Sequence, residues 1–202
     1  MSASNLFNIR HQLTFYGAYH SNKTNIAIHI CFVPLILWTF QVLGSLLPVP
    51  SFFPDFHYVF NDYMSFEINW ATIAMALYLA YYYALEPLAA LIYTPQMVLF
   101  VLTAVQASKN ADNFKIAAGL NVLSWIMQFI GHGVAEKRAP ALLDNLLGAL
   151  VLAPFFVHLE LLFKVGYKPQ LHRDLKNDIG KEITALKKAQ GEKRRAQEAK
   201  EL

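Results

Sequence analysis

The sequence predicts an all-α fold: a polytopic membrane helical bundle of about four spans, followed by a re-entrant or interfacial helical hairpin. Three observations lead there. Of 202 residues, 55% are hydrophobic and only 15% are charged, which is too apolar a balance for an ordinary soluble domain. Uncharged runs close to the length needed to cross a bilayer recur along the chain. Basic residues gather beside those runs in a pattern that fits an even number of full crossings.

The N-terminal stretch alternates polar and aromatic residues and has no continuous apolar core of the kind a cleaved signal carries, so it reads as an interfacial or cytosolic helix. Residues 26–47 follow without a formal charge; 22 residues extend about 33 Å as a helix, the thickness of the hydrocarbon layer. Residues 69–85 and 87–108 read as two spans joined tightly near Glu86-Pro87, or as one span and a broken helix, and residues 114–135 as a further span. The segment 140–163 is apolar but carries Asp144, Asn145 and Pro154, so it is expected to enter the membrane and turn back near Pro154. Residues 48–69, rich in Pro and aromatics, read as an external loop able to rest on the interface.

Charge placement sets the orientation. Arg10 and Lys23 put the N-terminus inside; the loop 48–69 has three acids and no Lys or Arg; Lys137, Arg138 and the C-terminal tail call for the inside again. Ten of the 17 Lys and Arg lie from Lys168 onward, so the net charge of +3 belongs to the tail. Residues 168–202 are therefore expected to form a basic cytosolic extension, helical or partly disordered, behind a membrane-embedded domain of residues 1–167. The single cysteine, Cys31, allows no internal disulfide and reads as inert packing.

Ionisable groups inside apolar runs need a reason, because insertion costs about 2.5–3.5 kcal/mol each. His132 and Glu136 lie four apart, with Gln128 one turn before them; His20 precedes the first span and His29 lies just inside it, on the face of Asn25. If the first and fourth spans end on the same side, His20, His29, His132 and Glu136 come to one membrane depth. Imidazoles with a carboxylate and open positions suit a non-haem Fe(II) site, and the lack of thiolates argues against structural zinc. An interhelical hydrogen bond would equally account for His132 or His29, and an interfacial ion pair with Lys137 or Arg138 for Glu136. His11, His57 and His172 read as solvated; for His158 a structural role and a ligand role stay open.

The blocks FYGAYHSNKTNIAIHICFVP and WIMQFIGHGVAEKRAPALLDNLLGALVLAPFF resemble the signature of the fungal-type 2-hydroxy fatty acid dioxygenase family. The resemblance spans most of residues 6–170. It implies an endoplasmic reticulum membrane enzyme that uses Fe(II) and O2 for alpha-oxidation of 2-hydroxy fatty acids in phytosphingosine breakdown, shortening them by one carbon; the charge pattern makes it multi-pass with both termini cytosolic. It makes residues 1–167 the catalytic domain. His20, His29 and His132 fall on the family's histidine positions and Glu136 on its carboxylate, so these four are the expected iron ligands. Asp144 is expected to orient an imidazole from behind; Asn25, Lys137 and Arg138 are expected near the ligands or the substrate carboxylate. Where the fungal pattern carries a second histidine directly after the first, this chain has Ser21. The expected partners are a 2-hydroxy fatty acid, O2 and membrane lipid, with no nucleic acid and with oligomerisation left open. The alternatives are a non-catalytic membrane-organising protein of the endoplasmic reticulum, or a carrier.

Overall fold

The computed structural model describes residues 3–136 and 146–201. Asparagine starts four of the described helices. Asn8 caps α2 (Ile9–Tyr19), which follows the short α1 (Ala3–Leu6); Asn22 caps α3 (Lys23–Ser45), Asn69 caps α4 (Trp70–Leu85), and Asn110 caps α6 (Ala111–Ile130). Each side-chain oxygen accepts an N–H that the first turn leaves without an intrahelical partner. Between α4 and α6 lies α5 (Pro87–Ser108), which begins with Pro87 in the first-turn position, where the missing N–H costs nothing. The joint at Glu86-Pro87 is thus as tight as the sequence suggests.

Three of the described helical stretches are long and apolar enough to cross a membrane: Lys23–Ser45, Pro87–Ser108 and Ala111–Glu136. At 16 residues α4 is shorter, about 24 Å. The protein is a polytopic helical membrane bundle. Its outward face is apolar, with Leu77, Leu91, Ile92, Val122 and Ile126 exposed where lipid would lie. Since lipid is as apolar as leucine, helices associate here through close fit, and the buried contacts accordingly carry Ala71, Ala89, Ala90, Ala104 and Ala117. Cys31 faces outward rather than into the packing.

The core centres on Tyr82 of α4 and Phe155 of α7 (Leu146–Lys164), stacked with ring centroids 4.4 Å apart, and the Tyr82 hydroxyl donates to the Val151 carbonyl at 2.6 Å. Pro154 lies within α7 without ending it. The break falls instead between residues 164 and 169, where the chain bends by 119° into α8 (Pro169–Glu201) through Gly166 and Lys168, both at positive φ. Buried Glu86 holds that bend, accepting hydrogen bonds from the Lys168 ammonium at 2.7 Å and the Tyr167 hydroxyl at 3.1 Å.

Two further elements complete the fold. Within 48–69 the chain forms an antiparallel hairpin of β1 (His57–Asn61) and β2 (Met64–Glu67), tied to the end of α5 by the ion pair of Glu67 with Lys109, while the His57 ring meets Glu67 across the hairpin at 2.8 Å. The tail is a continuous helix with an apolar stripe: Ile179 packs with the main core, Ile183 and Leu186 against Ala18 and Tyr19 of α2, while Arg10 pairs with Asp178.

Candidate metal centre

His20 closes α2, where its backbone N–H bonds the Gly17 carbonyl at 3.1 Å and its ring stacks on Tyr16 at 3.9 Å. His29 sits in the second turn of α3. His132 belongs to a π-helix, Gly131–Glu136, that continues α6 with a wider turn, a local distortion often found at functional sites. The three rings meet. Their centroids are 4.4 Å (His20 to His29), 4.8 Å (His20 to His132) and 5.0 Å (His29 to His132) apart, and their planes cross at 72° to 87°. Each residue is 5% exposed, and each offers a ring nitrogen within 4.8 Å of the others.

The hydrogen bonds fix the tautomers of two of them. His20 Nδ1 lies 2.7 Å from the Tyr16 carbonyl, and His29 Nδ1 lies 2.9 Å from the Asn25 carbonyl. A carbonyl only accepts, so both Nδ1 atoms carry hydrogen. In the neutral rings both Nε2 atoms are then bare lone pairs, yet they face each other at 3.0 Å. Such an approach is repulsive unless a cation or a proton lies between. Burial, reinforced by the neighbouring His29 ring, holds His20 well below the ordinary imidazole value and disfavours the proton. The buried Nδ1 of His132 has no partner either among the described residues. Imidazoles oriented from behind by backbone carbonyls are the usual preparation of metal ligands. The donor set fits a first-row metal such as iron, zinc or copper.

Glu136 lies outside this group of three. One oxygen accepts from the Ser21 N–H (3.0 Å) and hydroxyl (2.6 Å), the other from the Asn22 N–H (2.9 Å) and the Asn25 amide (3.3 Å). Asn22 returns a bond to the Ala135 carbonyl at 2.9 Å. The carboxylate therefore clasps the π-helix to the N-terminus of α3, where negative charge is favoured. Asn25 joins the two systems, through its side chain to Glu136 and through its carbonyl to His29. Gly131 allows this closeness, since a methyl group there would collide with the Asn25 side-chain oxygen. Lys137, Arg138 and Asp144 lie outside the described residues.

Of the remaining histidines, His158 donates to or accepts nothing chemical at the site; its Nε2 lies 3.1 Å from the Ala89 carbonyl and its ring stacks on Tyr93. His172 stacks on Phe163. Two groups at the centre are not among the expected site residues: Tyr16, and Gln128, which lies in the wall of a cavity next to His132. The only sequence signal for Gln128 was a polar residue one turn before His132 in an apolar run.

That cavity, of about 300 Å³ among the described residues, has the three histidines at one end. From there it runs along α3 past Val33 and Leu37 to Phe40, with Trp125 opposite. Phe40 and Phe129 in its wall are themselves about half exposed on the outer, lipid-facing side.

A multi-pass helical membrane protein with a buried three-histidine metal-type constellation at the head of an apolar cavity is the class that this fold and site define. The chain belongs to the Mpo1-like family, described as 2-hydroxy-palmitic acid dioxygenase Mpo1-like, which matches residues 6–165. It is similar to the 2-hydroxy-palmitic acid dioxygenase MPO1 of Saccharomyces cerevisiae, with 37% identity over 174 residues, covering 86% of this chain and 91% of that one. No solved structure matches.

Proposed function

We propose that this chain is an Fe(II)-dependent dioxygenase that carries out alpha-oxidation of 2-hydroxy fatty acids in the endoplasmic reticulum membrane, with both termini cytosolic, within sphingoid base breakdown. The observation that carries the reading is the pair of Nε2 atoms facing each other at 3.0 Å with both Nδ1 atoms committed to carbonyls. His20, His29 and His132 would hold the iron. When bound it supplies a Lewis acid and the redox centre for O2 chemistry. In the overall reaction the C1–C2 bond breaks, C1 leaves as CO2 and C2 becomes the new carboxyl carbon. The electrons released reduce O2 fully, with one water as coproduct, so no further reductant is needed.

The chain's own residues have definable parts in this. The Tyr16 and Asn25 carbonyls keep the His20 and His29 lone pairs turned inward, and the Tyr16 ring fixes the plane of His20. Glu136 acts as a positioning residue through Asn25 and the start of α3. Lys137 and Arg138, next in the sequence, bring positive charge for the substrate carboxylate, and Asp144 remains a group that orients an imidazole. The apolar walls exclude water and take the acyl chain. From His29 to Phe40 the cavity follows 11 residues of helix, about 16 Å. An extended sp3 chain advances about 1.25 Å per carbon, given a bond of about 1.52 Å and an angle near 111°. About 13 carbons would thus reach Phe40, and a longer tail would emerge toward lipid.

The test is detergent-purified protein, assayed for metal content and for conversion of 2-hydroxypalmitate to pentadecanoate with O2 uptake. Wild type is expected to carry iron and form product, and His132→Ala to lose both. Equal product from the two would refute the reading.

A further inference from the structure

Gln128 is the one described amide side chain that combines three properties: it is 6% exposed, neither Oε1 nor Nε2 has a hydrogen-bond partner among the described residues, and it lines the cavity that contains the histidines. At Gln41 and Gln106 the oxygen is the one buried amide atom without a partner among the described residues, and neither side chain lines the cavity. A buried amide with no partner is destabilising, so its presence at a cavity wall calls for a ligand that completes it. The chemistry of that ligand follows from the amide itself, which presents two N–H donors and one acceptor oxygen side by side.

We propose that Gln128 is the residue that distinguishes a 2-hydroxy acid from the plain fatty acid of the same length. This rests on the functional reading above. The amide N–H donates to a carboxylate oxygen of the substrate, and the amide oxygen accepts the hydrogen of the 2-hydroxyl. A carboxylate supplies acceptors only, so a fatty acid without the hydroxyl satisfies the N–H and leaves Oε1 buried and bare. Such a mismatch discriminates far more strongly than a missing methylene in an apolar wall. The acyl tail cannot supply this selectivity, because it is common to both acids. It also moves from lipid to a lipid-like cavity, with little gain in apolar burial. The head group must therefore be read by polar atoms, and Gln128 places an uncommitted pair one helical turn before His132.

The experiment is anaerobic equilibrium binding of radiolabelled 2-hydroxypalmitate and of palmitate to the full-length, iron-loaded protein in detergent, so that no turnover intervenes. Wild type is expected to bind the hydroxy acid at least about tenfold more tightly. In Gln128→Met, similar in volume and apolar, that ratio falls to near one through weaker binding of the hydroxy acid, with palmitate unchanged or tighter. If Gln128→Met does not fold, Gln128→Glu decides: an anion facing the substrate carboxylate should weaken both acids. A wild-type ratio near one, a Gln128→Met variant that keeps the wild-type ratio, or a Gln128→Glu variant that binds both acids as wild type does, overturns the assignment of Gln128 while leaving the dioxygenase reading intact if pentadecanoate still forms under O2. Absence of both binding and product in wild type would instead remove the functional reading on which the proposal stands.

Discussion

Replacing Glu136 by Gln separates two ways in which a carboxylate can support the histidine centre. The variant keeps the shape and exchanges one oxygen for an amino group. Whichever oxygen is exchanged, two donors lose their acceptor: the N–H and hydroxyl of Ser21, or the N–H of Asn22 and the amide of Asn25. Hydrogen bonds to a charged group contribute about 1.5–3 kcal/mol each. Glu136 is only partly buried, so the lower end applies and the clasp between the π-helix and α3 weakens by about 3 kcal/mol. The chain can redock around a bound metal, so iron affinity, measured by competition with a chelator, should fall by about 10- to 100-fold without being abolished. Ser21→Ala removes only the 2.6 Å hydroxyl contact, and should cost about tenfold or less in the same assay. The double variant should lose less than the sum of the two, since both act on one clasp. Iron binding abolished by Glu136→Gln but untouched by Ser21→Ala would refute this reasoning and make the carboxylate a direct ligand.

Gly131→Ala should lower the thermal stability of the detergent-solubilised protein by about 1–3 kcal/mol and reduce its iron content, because the new methyl group meets the Asn25 side chain. Gly17→Ala should be tolerated, since the atom it meets is the mobile end of Ile179; Gly17→Val should detach α8 from α2, seen as faster proteolysis of the tail. The folded-state pKa of His20 lies below its ordinary 6.5, so the unfolded chain takes up the proton first. Chelator-treated protein should therefore hold this contribution above pH 6.5 and lose it as pH falls below, by at most about 1.4 kcal/mol per pH unit. His20→Asn should flatten that slope in a thermal melt; an unchanged slope would assign the loss to other groups.

What the sequence makes legible depends on whether the partner surface is local. The span 87–108 coincides with α5 because Pro87 and Asn110 punctuate it, and 26–47 falls within three residues of α3. The hairpin was hidden because His57 to Asn61 are exposed on both faces and aromatic or polar by turns, so the two-residue period has no inside and outside to contrast. The tail's stripe, Leu171, Leu175, Ile179 and Ile183, is visible at helical spacing, but its partner is α2, more than 150 residues away, and without that surface the segment looks merely solvated. Pro154 reads as a break because it lacks an N–H, yet α7 absorbs it and the bend moves to Gly166, where positive φ is free. The four-residue interval of His132 and Glu136 puts them on one face of an α-helix. In a π-helix the turn is wider, and Glu136 is carried off the face of His132 and onto Ser21 and Asn22.

The meeting of the histidines also decides how many times the chain crosses. His29 lies near the start of α3 and His132 just after the end of α6; Thr39 bonds Asn121 at 2.8 Å and Phe40 faces Trp125, so the two helices run antiparallel. Tyr83 bonds Thr94 while Ala71 packs with Val101 and Val105, which makes α4 antiparallel to α5. Trp38 bonds Thr103 and Val42 packs with Ala104, and α5 turns into α6 within three residues, so α5 runs with α3. The start of α3 and the end of α6 can then share one side of the bilayer only if α4 returns the chain across it. At about 24 Å, α4 is shorter than the roughly 30 Å hydrocarbon layer. Local thinning or an inward-drawn hairpin must make up the difference, and lengthening α4 by one turn should shift the hairpin outward, measurable as greater solvent labelling of a cysteine placed at Tyr63.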